Sequence, residues 1–253
     1  ILPILMIVYY GVTDPSNSFT LANIIAIAEP IHMKALLLSL KLALVCTVIC
    51  LLLSYPLAMI LNSIKFKHQN FIVFIFVLPM WMNFMLRILA WQLLLSNNGI
   101  LNTVLETLHL PQFQFLNTPS AVVFGMVYDF LPFMILPLYN SMSKISADVI
   151  DAARDLGANQ LQVFIKIIMP LTISGVLSGI IMVFVPALTS FVISNLLGGG
   201  KVLLIGNVIE QEFMQNMDWH MGSGLSIVLM IFVIASMAFM NSHNKDGEGT
   251  AVW

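Results

Sequence analysis

SADVIDAARDLGANQLQVFIKIIMP, residues 146–170, is the one long polar interruption of this chain that reads as ordered structure. Val149, Ile150, Ala153 and Leu156 recur at helical spacing, so its first half reads as a short amphipathic helix. Ser146 suits the N-cap, and Asp148 suits the positive end of the helix dipole. Gly157 then ends the helix, because a left-handed residue past the C-cap is best served by a side chain without Cβ. A second helical run through Leu161, Phe164, Ile165 and Ile168 is expected to stop at Pro170. A helix, a glycine turn and a second helix between two very apolar segments form a handle for a soluble partner.

The surrounding composition sets the class. Of 253 residues, 59% are hydrophobic and 9% charged, with a mean hydropathy of +0.97. Soluble domains carry about 25% charged residues, so the chain reads as all-α and integral to a membrane. A net charge of −2 without a basic patch excludes a nucleic-acid binder. Cys46 and Cys50 lie four apart in an apolar run and read as small packing residues, not as a metal or redox pair.

Outward from the handle, apolar runs at about 35–61, 71–95, 120–140, 171–195 and 224–241 are each long enough to span a bilayer. Residues 1–12 read as the second half of a truncated first span, with a signal-peptide remnant as the alternative. The expectation is a six-span helical bundle in one transmembrane domain, 1–241, with a loop at 141–170 and a short tail at 242–253. Residues 13–34 read as an external loop with a short surface helix.

Loop charges orient it. Lys65 and Lys67 lie in 62–70, Lys144, Arg154 and Lys166 in 141–170, and Lys245 in the tail. Loop 96–119 has neither Lys nor Arg, and 196–223 has only Lys201. By the positive-inside rule both termini and the handle face the cytoplasm. Asp14, Glu29, Glu106, Glu210, Glu212 and Asp218 then fall outside, where they favour a basic partner or a cation. Trp219–Gly224 reads either as part of the external mouth or as plain loop. Pro56, Pro79, Pro132, Pro137 and Pro186 lie inside the spans and kink them.

Catalytic constellations are missing from the sequence. There is no H-E-x-x-H and no G-x-S-x-G, and the five histidines are scattered over loops and tail. Gly198-Gly199-Gly200-Lys201 fails as a phosphate loop, because Asn195 and Val202 stand where Gly and Ser or Thr are needed. Transport driven by ATP would need another chain to bind ATP and Mg. No cofactor is expected in this one.

Asp151-Ala152-Ala153, Gly157, Phe164, Ile167 and Pro170 resemble the cytoplasmic Glu-Ala-Ala loop of ABC importer permeases at every spacing. Asp151 stands for Glu and Met169 for Leu. Ser39-Leu40, Thr47 and Tyr55-Pro56-Leu57-Ala58 resemble the second-span pattern of the same class. Thr118–Ala121, Leu131–Met134, Pro137–Tyr139 and Leu203–Ile209 resemble the B-type spermidine/putrescine permeases. The resemblance covers essentially the whole chain. It implies an ABC importer type I transmembrane fold, a bacterial cytoplasmic-membrane location and a homologous second permease as heterodimer partner. It also implies an ATPase dimer below and an extracytoplasmic polyamine-binding protein above. On that basis Asp151, Ala152, Ala153, Arg154, Asp155 and Gly157 are the expected ATPase-coupling residues. Small Ala152 and Ala153 let the helix seat closely, Asp151 and Arg154 are i,i+3 neighbours, and Asp151 or Asp155 meets a basic group.

Charges inside spans are costly and carry a functional hypothesis by default. Lys41 reads as snorkelling outward. Arg87 and Asp129 read either as a structural ion pair or with Asp129 lining the path and receiving a substrate ammonium. Tyr128, Trp81, Trp91 and Tyr139 are the aromatic candidates for that path or for plain packing. The competing functions are the same machine with another cargo (a thiamine-type cation, ferric iron, an opine), a secondary transporter, and a membrane enzyme. No internal repeat supports the secondary transporter.

Overall fold

The computed structural model describes residues 2–63 and 78–242, and the regular structure among them is helical apart from one isolated bridge between Thr13 and Phe19. In chain order the helices are α1 (Leu2–Gly11), α2 (Ala22–Ile25), α3 (Pro30–Ser63), α4 (Phe84–Leu95), α5 (Ile100–Thr107) and α6 (Pro119–Met142). They continue as α7 (Ala147–Asp155), α8 (Gln160–Val163), α9 (Ile173–Thr189), α10 (Val192–Gly198), α11 (Ile205–Met214) and α12 (Trp219–Ser242). Within lipid a helix satisfies its own backbone, which is why apolar runs of this length adopt it.

Among the described residues, Pro30–Asn62, Pro119–Met142 and Trp219–Ala238 are long and apolar enough to cross a membrane. A fourth crossing counts if Gln160–Leu171 and Ile173–Thr189, bent by 67°, are one span. The expected third span, 71–95, begins outside the described residues. Lys65, Lys67, His68, His243 and Lys245 also lie outside them. The described part of that span is not one helix. A 3-10 turn at Leu78–Trp81 ends before Asn83, whose side chain accepts from the Met85 and Leu86 backbone N–H groups at 2.9 and 3.3 Å. That cap starts α4 afresh.

Three further boundaries depart from the sequence reading. Pro170 does not stop its helix. Phe164–Ile168 form a π-helical turn, and Pro170 sits in the next helical turn, Met169–Leu171. The wide turn changes the hydrogen-bond register just ahead of the proline, so the missing N–H does not end the rod. The bend falls at Thr172, whose hydroxyl donates to Ile168 O at 2.8 Å. The expected fifth span is divided at Ser190 and Phe191, between α9 and α10. Trp219–Gly224 is not a loop but the opening turns of α12, capped by Asp218 Oδ1, which accepts from Met221 N at 2.9 Å. His220 and the small residues after it lower local hydropathy without breaking the helix.

Contacts divide the chain into two compact units. The first comprises residues 1–46, 83–126 and 185–236. In it α10 packs on α4, where Gln92 Nε2 donates to Leu196 O at 2.7 Å. Trp91 meets Phe124 edge-on at 4.8 Å. Buried Ser39 accepts from Ile205 N at 2.8 Å and donates to Ala35 O at 2.9 Å. Buried Asn102 closes the loop after α5, accepting from Phe113 N at 2.8 Å and donating to Ser96 O and Phe113 O.

The second unit comprises, among the described residues, 47–63, 78–82, 127–184 and 237–242. Its described core joins α3, α6 and α9. Gly175 and Gly179 lie one turn apart on α9, and a Cβ on Gly175 would stand 2.7 Å from Pro137 O of α6. The backbones therefore approach as closely as a small-xxx-small pair permits.

Candidate functional site

The handle of residues 146–170 is built almost entirely from local interactions. Ser146 Oγ accepts from Asp148 N at 3.2 Å and caps α7. At the other end Gly157 has φ +86°, Gly157 N donates to Arg154 O at 2.8 Å, and Ala158 N donates to Ala153 O at 3.0 Å. This pair of bonds is a Schellman closure, and it requires a left-handed residue at Gly157. The chain then re-enters a helix through a reciprocal cap, in which Asn159 Oδ1 accepts from Gln162 N and Gln162 Oε1 accepts from Asn159 N, both at 2.9 Å.

The expected coupling residues Asp151, Ala152, Arg154, Asp155 and Gly157 are all exposed, and Ala153 is half-buried. Arg154 Nη1 stands 3.5 Å from Asp151 Oδ1. Both side chains are solvated, so the pair contributes at most about 1 kcal/mol. Leu156 is 90% exposed at the turn, flanked by exposed Val149 and Leu161. An apolar ridge in water beside two carboxylates has the composition of a protein-docking surface.

One contact joining this loop to its unit was not read from the sequence. The Thr172 hydroxyl donates to Ile168 O, so the Tyr55 hydroxyl of α3, 2.6 Å away, must donate to Thr172 Oγ1. The Tyr55 ring also meets Phe164 edge-on at 5.4 Å. Tyr55 and Phe164 both belong to the sequence patterns quoted above, but nothing in their spacing paired them. Tyr55 thus holds the π-helical turn and the bend at once.

The path candidates behave differently from one another. Asp129 is 3% exposed on α6. Tyr128 beside it is half-buried, and Tyr139, three helical turns on, is buried. Trp91 and Arg87 belong to the first unit, with Arg87 buried and Trp91 packed on Phe124. Trp81 is 77% exposed. Lys41 is exposed on α3. No group of three or more His, Cys, Asp or Glu able to hold a metal occurs among the described residues.

The described residues form apolar helices joined by an exposed helix–turn–helix loop, and comparison with known proteins gives the class its name. Residues 51–243 match the family described as the binding-protein-dependent transport system inner membrane component. The chain belongs to that family. It is 43% identical over 215 residues to the spermidine/putrescine transport system permease protein PotB of Escherichia coli K12, covering 84% of this chain and 78% of that one. It is 40% identical over 226 residues to PotB of Haemophilus influenzae, covering 87% and 79%. The E. coli inner membrane ABC transporter permease protein YdcU is 30% identical over 239 residues, covering 87% and 75%.

Among solved structures, a chain of a bacterial ABC transporter importing the acidic polysaccharide alginate superposes with a TM-score of 0.76 at 15% identity, covering 98% and 90%. The same kind of transporter, in complex with its alginate-pentasaccharide-bound periplasmic protein, gives 0.80, covering 99% and 90%. The fold is therefore that of an ABC importer permease.

Proposed function

We propose that this chain is the B-type permease of an ATP-driven importer that moves spermidine and putrescine into the cytoplasm. The observation that carries the reading is the 43% identity to a spermidine/putrescine permease over 84% of the chain. In this reading the protein is a single transmembrane domain of six spans with both termini inside, and residues 141–170 form its coupling loop. A homologous permease completes the pore, an ATPase dimer docks below, and an extracytoplasmic polyamine-binding protein delivers cargo above. The exposed Leu156 ridge with Asp151 and Asp155 seats in the ATPase. Asp129, with Tyr128 and Tyr139, lines the path, and Trp81 and Trp91 flank it.

The test is uptake of labelled spermidine by vesicles holding this permease, its partner permease, ATPase and binding protein. Uptake competed by putrescine but not by thiamine supports the cargo, and absence of saturable uptake refutes it. Reversing the charges at Asp151 and Asp155 should leave assembly intact and uncouple ATP hydrolysis from uptake. Unchanged coupling refutes the docking role. Asp129→Asn with unchanged uptake refutes a substrate contact at that carboxylate.

A further inference from the structure

Two cavities open in the first unit and share a wall. The larger, about 850 Å³, runs between α1, α11 and α12, and Glu210 is the one charged residue in its described lining, which is otherwise nearly all apolar. The smaller, about 560 Å³, ends at Asn216, Asp218 and His220. Tyr10 and Trp219 line both, as do Met6 and Met217. The wall is aromatic in depth: Trp219 stands 6.4 Å from Tyr10 and 5.6 Å from Phe213, centroid to centroid.

The carboxylate at the apolar end is installed by a relay. Leu204 N donates to Asn207 Oδ1 at 3.0 Å, and Asn207 Nδ2 donates to Asn195 Oδ1 at 2.7 Å. Asn195 Nδ2 in turn donates to Glu210 Oε2 at 2.8 Å. Asn207 is 2% exposed, so the order of donors and acceptors is locked from inside the protein. At the polar end His220 Nδ1 faces two carbonyl oxygens, Thr13 O at 2.7 Å and Tyr10 O at 3.1 Å. It must donate to them.

We propose that the two neighbouring cavities together form a slot for an α,ω-diammonium chain, with Glu210 receiving one ammonium group, Asp218 and His220 the other, and the methylene spacer lying against Tyr10, Phe213 and Trp219. A carboxylate among apolar lining is better partnered by an ammonium group than by apolar surface. Aromatic faces add cation–π attraction, and thioether and ring surfaces match the spacer. A guest with a single charge fills only half of this pattern. The inference rests on the polyamine reading and gives it a subsite on this chain.

The experiment is equilibrium binding of 1,4-diaminobutane and 1-aminobutane to the intact permease assembly in lipid nanodiscs, without binding protein, beside uptake by the whole importer. The diamine should bind at least about tenfold more tightly than the monoamine, the factor expected of one extra charged hydrogen bond. Glu210→Gln, which keeps an acceptor for Asn195, and Asp218→Asn should each remove that preference. Glu210→Asp should retain most of it. Equal binding of the two amines by the unaltered protein, or an undiminished preference in both neutral variants, overturns the slot, as does occupancy by lipid acyl chains that neither amine displaces. Diamine uptake by the whole importer alongside any of those results leaves the polyamine reading standing. Absence of uptake overturns both.

Discussion

Gly157 is where the loop of residues 146–170 can be broken without touching any contact. Its φ is +86°, and a Cβ built on it meets no atom within 4 Å. Substitution therefore costs backbone conformation alone. Placing an L-residue in the left-handed region costs about 1–2 kcal/mol, partly offset because the unfolded chain loses less freedom than it does with glycine. The net for Gly157→Ala is about 1 kcal/mol, or about a fivefold loss in the population of the closed turn. Asn visits this region more readily and should fall between Gly and Ala, while β-branched Val should be worst. The assay is hydrogen exchange of the Gly157 and Ala158 amides, which close the turn on Arg154 O and Ala153 O at 2.8 and 3.0 Å. Protection should fall in the order Gly, Asn, Ala, Val, and stimulation of the ATPase should fall in the same order, because the turn presents Leu156. Equal protection in Gly and Val proteins would refute the reasoning, as would an Asn protein weaker than Ala.

Gly175→Ala should destabilise by about 1–3 kcal/mol, because its Cβ would press on Pro137 O of the α6 backbone, 2.7 Å away. Gly179→Ala meets Met134 Sδ, on a side chain that can swing aside, and should cost less, so the unfolding temperature in detergent must rank the two in that order. Tyr55→Phe removes the donor to Thr172 but keeps the ring on Phe164, at a cost of about 1 kcal/mol. A double-mutant cycle with Thr172→Val should recover a coupling of about that size, and additive costs would exclude the bond. Asp14 is held below its ordinary value of 3.8, first by the Ser16 hydroxyl and then by the Ser18 and Ser16 backbone N–H groups. A depressed folded value means the carboxylate steadies its turn above the unfolded value, and this support is lost as pH falls through the folded one. A carbon-13 titration of Asp14 should show the low value, with Ser16→Ala moving it up towards 3.8.

What could be read from the sequence divides by the range of the interactions. The loop of residues 146–170 was legible because its bonds join residues at most five apart: Ser146 to Asp148, Ala158 to Ala153, Asn159 to Gln162. Local spacing carries such geometry directly. The long rods α3, α6 and α12 were legible because a bilayer leaves an apolar run no other way to satisfy its backbone. Their ends were less so. Asn83 and Thr172 are single polar residues in apolar surroundings, where a hydropathy average passes over them. Asn83 redirects the chain by bonding N–H groups that a helix start leaves free, and Thr172 marks the bend by adding its hydroxyl to Ile168 O, which also accepts from Thr172 N.

The candidate diammonium slot lay beyond sequence reading for a stricter reason. Tyr10 and Trp219 are separated by most of the chain, yet their rings stand 6.4 Å apart. Glu210 counted only as one of six external acids until the Asn207–Asn195 relay showed one of its oxygens fixed. The same relay explains why an ordinary-looking asparagine is 2% exposed in a segment otherwise rich in Leu, Ile and Val. A buried amide must place each of its polar atoms, and Asn207 does so by ordering the loop before α11 on one side and a carboxylate on the other. In the proposed slot, loop order and cargo contact are therefore coupled through one side chain. Asn207→Leu should disturb both, whereas Glu210→Gln should disturb only the second. The two variants separate a residue that builds the slot from one that binds in it.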